Sequence, residues 1–213
     1  MRALVMAKAP VPGTVKTRLG VDLGMEVAAR LAAAALLDTM AVCAEAFDDC
    51  HLALDGDLAA ACDGEAIRER LAGWTVHPQR GTGLGERLAA AHVDAAGPGA
   101  TLQLSMDTPQ LTVAHLHAVR DAAADGDAVL GPATDGGWWV LALSEPGAAA
   151  VLADVPMSRD DTCVRTRKAL EAVGQSVRLG AELTDVDEVA DARLVAAGLS
   201  DGHFLRAWRE VGR

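Results

Sequence analysis

A three-layer α/β/α fold around a mostly parallel sheet is predicted by three observations. Short β-rich runs alternate with longer alanine-rich stretches of helical periodicity. The chain has 213 residues, enough for one well-packed core and short for two, so a single domain over residues 1–213 is expected. Late in the chain the rhythm changes to two strand-like runs joined by the turn-rich PATDGG, which adds a hairpin or locally antiparallel pair.

Taken in order, the apolar run Ala3 to Met6 reads as the first strand, and Met25 to Phe47, rich in Ala and Leu, as a long helix. His51 to Leu54 reads as the second strand, with a helix near Leu58 to Leu71. Trp74 to His77 is the third strand and Gly85 to Ala95 the next helix. Thr101 to Met106 is an apolar strand ending on Asp107, where Pro109 stops its continuation, and a helix follows from about Thr112 to Ala123. Ala128 to Gly131 and Trp138 to Leu143 are the paired strands. Arg159 to Val173 reads as helical and Ser176 to Leu179 as a strand. Val189 to Ala197 and Gly202 to Val211 complete the helices, with no linker or repeat, so the domain is expected to run to the C-terminus.

Composition narrows the partners. Asp and Glu number 30 against 19 Lys and Arg, a net charge of -11, which argues against nucleic acid or an anionic membrane surface. Much of the 51% hydrophobic fraction is alanine, and no stretch reads as a membrane span. The apolar run after Arg2 is too short for a secretory signal, so a cytoplasmic location is expected. Cys43, Cys50, Cys62 and Cys163 form no Cys-x-x-Cys pair and read as reduced and structural. His51 beside Cys50 does not make a zinc site, because neighbours on a strand face opposite ways.

Against this acidic background, residues 1–21 hold Arg2, Lys8, Lys16 and Arg18 and no acid. A local excess of cations where a strand should end suggests an anionic ligand, a nucleotide's phosphates first. The loop is not a Walker A motif: Val15 precedes Lys16, and Pro10 and Pro12 remove two N–H donors. It reads instead as a mobile Pro/Gly loop delivering Lys16 as a point charge and Arg18 as a bidentate fork, with ordinary solvated cations as the alternative.

Asp107, at the carboxyl end of a central strand, suits a Mg²⁺ or Mn²⁺ site shared with substrate phosphates, or else caps a turn. Asp185 and Asp187, two apart in an extended segment, face the same side and suit one cation, unless Asp187 caps the helix near Val189. In Asp135-Gly136-Gly137-Trp138-Trp139 the glycines allow close backbone approach to a ligand, and the aspartate can bind hydroxyls. One of the adjacent tryptophans belongs to the core, and at most one stacks on a base or sugar. The run Gln79 to Arg87 opens a helix with Gly-x-Gly-x-Gly spacing. That is not the dinucleotide fingerprint, and the free helix N-terminus with Arg87 suits a phosphate or nucleobase edge.

Five of these motifs, AKAPVPGTVKTRL, QRGTGLGERL, LSMDTPQLT, VLGPATDGGWWVLAL and TDVDEVAD, occur in one order over about Arg2 to Val195. In that order they resemble the radical-SAM/selenodomain-associated glycosyltransferase-like family. That family is similar to the 2-phospholactate guanylyltransferases and belongs to the nucleotide-diphospho-sugar transferase (GT-A) superfamily. The resemblance implies that Lys16 and Arg18 match the phosphate loop and Asp107 the strand-end metal ligand, with Asp185 and Asp187 completing the cation site. The expected nucleotide-binding set is Ala7, Lys8, Pro12, Gly13, Lys16, Thr17, Arg18, Gly85 and Arg87. Asp135, Gly136, Gly137 and Trp138 fall on the acceptor side. The chain departs from the family where Glu188-Val189 replaces Thr-Pro and where Met157-Ser158-Arg159 replaces Trp-Ser-Thr.

The expected activity is a Mg²⁺-dependent (or Mn²⁺-dependent) nucleotidyltransferase acting on an NTP and a small phosphate- or carboxylate-bearing acceptor, with Lys16, Arg18 and Asp107 as the catalytic residues. Sugar transfer from an NDP-sugar is the alternative, and a non-catalytic nucleotide-binding protein is the second.

Overall fold

The computed structural model describes residues 1–211. Its seven-stranded sheet has the order β3-β2-β1-β4-β6-β5-β7. The strands are β1 Arg2–Lys8, β2 Cys50–Asp55, β3 Thr75–Pro78, β4 Thr101–Ser105, β5 Ala128–Pro132, β6 Trp138–Leu143 and β7 Val177–Leu179. β1 pairs in parallel with β2 and β4, β2 with β3, and β5 with β7. β6 runs antiparallel to both β4 and β5. The mixed α/β architecture with a mostly parallel sheet is therefore the one expected, and the late hairpin is present.

Helices cover both faces of the sheet. They are α1 Thr17–Leu23, α2 Met25–Ala46, α3 Gly64–Arg70, α4 Leu84–Asp94, α5 Val113–Ala122, α6 Thr162–Ala172, α7 Val189–Gly198 and α8 His203–Glu210. Along β1 the side chains alternate: Val5 packs with Leu36 and Met40 of α2 and Leu116 of α5, whereas Leu4 packs with Leu88 of α4 and Leu170 of α6. From Arg2 to Ala7 both faces of β1 are buried, which is why its sequence reads as continuously apolar rather than alternating.

The length and composition of α2 are those of a membrane span, contrary to the sequence expectation, and two-thirds of its apolar window (67%) is buried in the fold. One side of α2 (Leu36, Met40) faces the sheet, and the other (Leu31, Ala35) meets Val195 of α7 and Phe204 and Leu205 of α8. A helix packed on two sides must be apolar nearly all round.

Several boundaries differ from expectation for local reasons. The stretch Leu58 to Leu71 is broken because Asp63 takes a left-handed conformation (φ 50°), giving a 3₁₀ turn Leu58–Ala60 and then α3. Residues 159–161 are not helical: Ser158 has φ 58°, and the Arg159 N–H donates to Thr162 Oγ1, so α6 begins at Thr162. A 3₁₀ segment at Pro146–Asp154 and the short α1 were not predicted.

The strand order reverses at β1, between β2 and β4. Their carboxyl ends, together with the first residue of the antiparallel β6, open onto one crevice, the place where open α/β sheets carry ligands.

Candidate active site

Two cavities of about 370 and 290 Å³ meet at this crevice and share Lys8, Met106, Asp107 and Asp187. Asp107 lies two residues past the end of β4, and its carbonyl accepts the Val186 N–H (2.9 Å), which ties the late Asp185-Val186-Asp187 segment to the strand end. Across from it Lys16 stands at the N-cap of α1. Its ammonium lies 2.9 Å from Asp107 Oδ2 and 2.7 Å from Asp187 Oδ1, with the side chain only 9% exposed. Burial alone lowers the Lys16 pKa, but the two carboxylates more than offset it, so the group is held above its ordinary value and stays charged. Burial likewise raises Asp187, and the charges and hydrogen bond of Lys16, with Arg18, more than reverse that and leave its pKa lowered.

Asp185 faces the opposite balance. Burial first, then the nearby charge of Asp107, pushes its pKa up to about 7, with Asp135 and Asp187 adding to the rise and Lys16 opposing it. Its Oδ1 is buried with no hydrogen-bond partner. Buried carboxylate oxygens are rarely left unpaired, so this atom marks a place for a cation or a substrate donor. Among the described residues no three His, Cys, Asp or Glu side chains stand ready-arranged around a cation position, and the Lys16 ammonium bridges two of the acids. The donor set nevertheless fits a hard divalent ion, which takes carboxylate oxygens.

The other predicted residues fall into groups. Lys8 lines both cavities, and among the described residues no carboxylate pairs with it. Arg18 is 70% exposed and only 3.7 Å from Asp187 Oδ2, a weak surface pair that leaves the guanidinium available. Thr17 lines the smaller cavity. Ala7 lines the larger, and its carbonyl accepts from Gln79 Nε2 (2.9 Å). Pro12 and Gly13 lie outside both linings; Gly13 has φ 78° with open space at its Cβ position, a turn requirement. Backbone bonds anchor the start of the loop, where the Ala9 N–H donates to Asp55 O and the Cys62 N–H to Pro10 O, and α1 begins inside it.

Arg2 does not belong to the cation cluster. It sits at the amino end of β1, bonded to Asp49 Oδ2 and the carbonyls of Ala95 and Pro98. Gly85 lies outside the larger cavity's wall. A Cβ there would stand 2.1 Å from Leu152 O, so glycine serves the packing of α4 on the 146–154 segment. Just ahead of α4, Glu86 Oε2 accepts from the Thr82 N–H and Oγ1. Arg87 does line the cavity, and its Nη1 donates to Asp55 Oδ2 (2.7 Å).

On the far wall, Asp135 Oδ1 accepts the Gly137 N–H (2.8 Å). Gly136 has φ 87°, and a Cβ would stand 1.9 Å from Asp160 O, so its close backbone approach is to the 156–162 turn rather than to a ligand. Trp139 is fully buried, while Trp138 lines the cavity and its Nε1–H donates to Thr166 Oγ1 (3.2 Å). The helix-capping alternative for Asp187 falls to Glu188, which forms a capping box with Asp191. Sequence reading left Asp55 unremarked and gave Gln79 and Arg159 no site role of their own, though all three line the larger cavity. Asp55 closes β2 just before Gly56, as Asp107 stands just past β4 with Pro109 two residues on, so a strand-end acid followed by a turn residue was present in both.

Similar solved structures share this fold. A Desulfovibrio desulfuricans G20 protein, provisionally named a nucleotide-diphospho-sugar transferase, matches with TM-score 0.84 and 23% identity over 98% of this chain and 94% of its own. Rv0371c of Mycobacterium tuberculosis H37Rv, in complex with manganese, matches with TM-score 0.55 and 19% identity over 93% and 99%. CMP:2-keto-3-deoxy-manno-octonic acid synthetase complexed with CTP matches with TM-score 0.55 and 10% identity over 97% and 98%. No curated protein sequence matches the chain. Residues 28–159 match a family model, and the chain belongs to that family, described as "Uncharacterized protein conserved in bacteria (DUF2064)".

Proposed function

We propose that the protein is a divalent-cation-dependent transferase that moves a nucleoside monophosphate from an NTP to a small phosphate- or carboxylate-bearing acceptor. The acceptor oxygen forms a bond to the α-phosphorus, the bond from that phosphorus to the bridging oxygen breaks, and pyrophosphate leaves. The observation that carries this reading is the meeting of Lys16 with Asp107 and Asp187 at the junction of two cavities, beside the unpaired Lys8 and the exposed Arg18.

Lys8, Lys16 and Arg18 suit a polyphosphate, whose negative charge shifts toward the leaving pyrophosphate as the bond breaks. Mg²⁺ or Mn²⁺ held by Asp107 with Asp185 and Asp187 would supply Lewis-acid stabilisation of the phosphoryl oxygens. Asp135, Trp138 and Arg159 line the other side of the larger cavity, where an anionic acceptor fits against the Arg159 guanidinium. An acceptor of the 2-phospholactate type, bearing both phosphate and carboxylate, belongs to this class.

The competing reading is sugar transfer from an NDP-sugar, which the same fold would accommodate. Incubation with each NTP, Mg²⁺ and candidate acceptors, followed by pyrophosphate detection, separates the two. The account expects pyrophosphate from one NTP; free NDP from an NDP-sugar, with no pyrophosphate from any NTP, would replace nucleotidyl by glycosyl transfer.

A further inference from the structure

We propose that Lys16 is a built-in counter-ion that keeps the cation site closed until a polyphosphate draws its ammonium away. This rests on the polyphosphate reading above. The ammonium sits on Asp107 Oδ2 and Asp187 Oδ1 at 2.9 and 2.7 Å, and these are oxygens a hard dication would also take. An ammonium and a dication on the same pair of half-buried carboxylates repel strongly, so one must leave for the other to bind.

The position of Lys16 is itself under tension. Its backbone lies in the left-handed region (φ 46°, ψ 44°), which a residue with a Cβ adopts at a cost, and its side chain makes no capping bond to α1. The two carboxylates are therefore what hold the side chain, and transfer to phosphate oxygens would release it from both. Cation and polyphosphate then bind with positive coupling, each favouring the state with the ammonium off the acids. The free protein, with its ammonium in place, binds divalent cations weakly.

Manganese titration of the full chain without nucleotide, read by the electron paramagnetic resonance signal of free Mn²⁺, tests this. Lys16→Met is expected to bind Mn²⁺ at least about tenfold more tightly than the wild type. Lys16→Arg, which keeps the charge, is expected to stay near the wild type, and the gain should vanish in Lys16→Met combined with Asp107→Asn. Lys16→Gln carries the test if the Met variant does not fold by circular dichroism. Equal Mn²⁺ affinity in wild type and the neutral variant, the same gain in Lys16→Arg, or a gain that survives loss of Asp107 would each overturn the proposal.

Calorimetry with inorganic triphosphate in the presence of Mg²⁺ tests the polyphosphate reading separately. The Mn²⁺ gain without triphosphate binding supports the counter-ion role and removes nucleotide transfer. Triphosphate binding without the gain removes the counter-ion role alone.

Discussion

At the scale of single residues, the acids of the crevice differ in what holds them. Asp107 and Asp187 share one ammonium, whereas Asp185 has a buried oxygen with no partner. Replacing Asp107 by Asn preserves shape and removes one charge. Pyrophosphate release is expected to fall by at least about 100-fold, the usual scale for losing one group that stabilises a phosphoryl transition state. Stopped assays with the purified variant measure it, and undiminished turnover would remove Asp107 from the chemistry. Lys16, Asp107 and Asp187 were legible in the sequence because strand-end acids and a proline-bounded loop are local signals. Their partnership was only an expectation, since 171 residues separate Lys16 from Asp187. Arg2 shows the converse error: its charge is counted with the cluster, but its position at the amino end of β1 removes it from the crevice.

At the scale of elements, α4 packs closely on the 146–154 segment at Gly85, which leaves no room for a side chain against the Leu152 carbonyl. Gly85→Ala puts a methyl against the Leu152 carbonyl and is expected to destabilise the fold by about 1–3 kcal/mol. For a chain of this size that lowers Tm by several degrees, measurable by calorimetry. Nucleotide affinity of the folded variant is expected to stay within about threefold; a large loss of affinity with an unchanged Tm would return Gly85 to the binding set. The helix α1 was invisible in the sequence because its seven residues carry no capping side chain and its N-cap is a left-handed lysine. The long α2 was plain, since alanine and leucine over 22 residues leave no competing structure. What its composition did not reveal is that both its sides are covered.

At the scale of the whole molecule, the alternation of strands and helices was readable because it is a matter of local periodicity. The insertion of β6 between β4 and β5, which brings Trp138 to the crevice beside Met106, is set by long-range pairing that no local pattern records. Global stability also carries a titration signature. His92 is fully buried with neither ring nitrogen bonded, and burial lowers its pKa to about 3. Because the folded value lies below the unfolded one, the unfolded chain takes the proton first as pH falls below about 6.5, and stability is lost from there toward pH 3. Between pH 7 and pH 5 this one group removes about 2 kcal/mol in the wild type. Denaturant unfolding at both pH values should show that loss absent in His92→Leu; equal pH dependence in the two proteins would contradict the burial of a neutral imidazole.

The central claim is that early cations and late acids converge on one metal-bound polyphosphate. A crystal structure of the full chain with a non-hydrolysable NTP and Mn²⁺, with the metal located by anomalous scattering, tests it most directly. The account predicts the Mn²⁺ peak on Asp107 and the 185–187 acids, with the Lys16 ammonium moved onto the phosphates. A nucleotide bound elsewhere, with Lys16 still bridging Asp107 and Asp187, would contradict it.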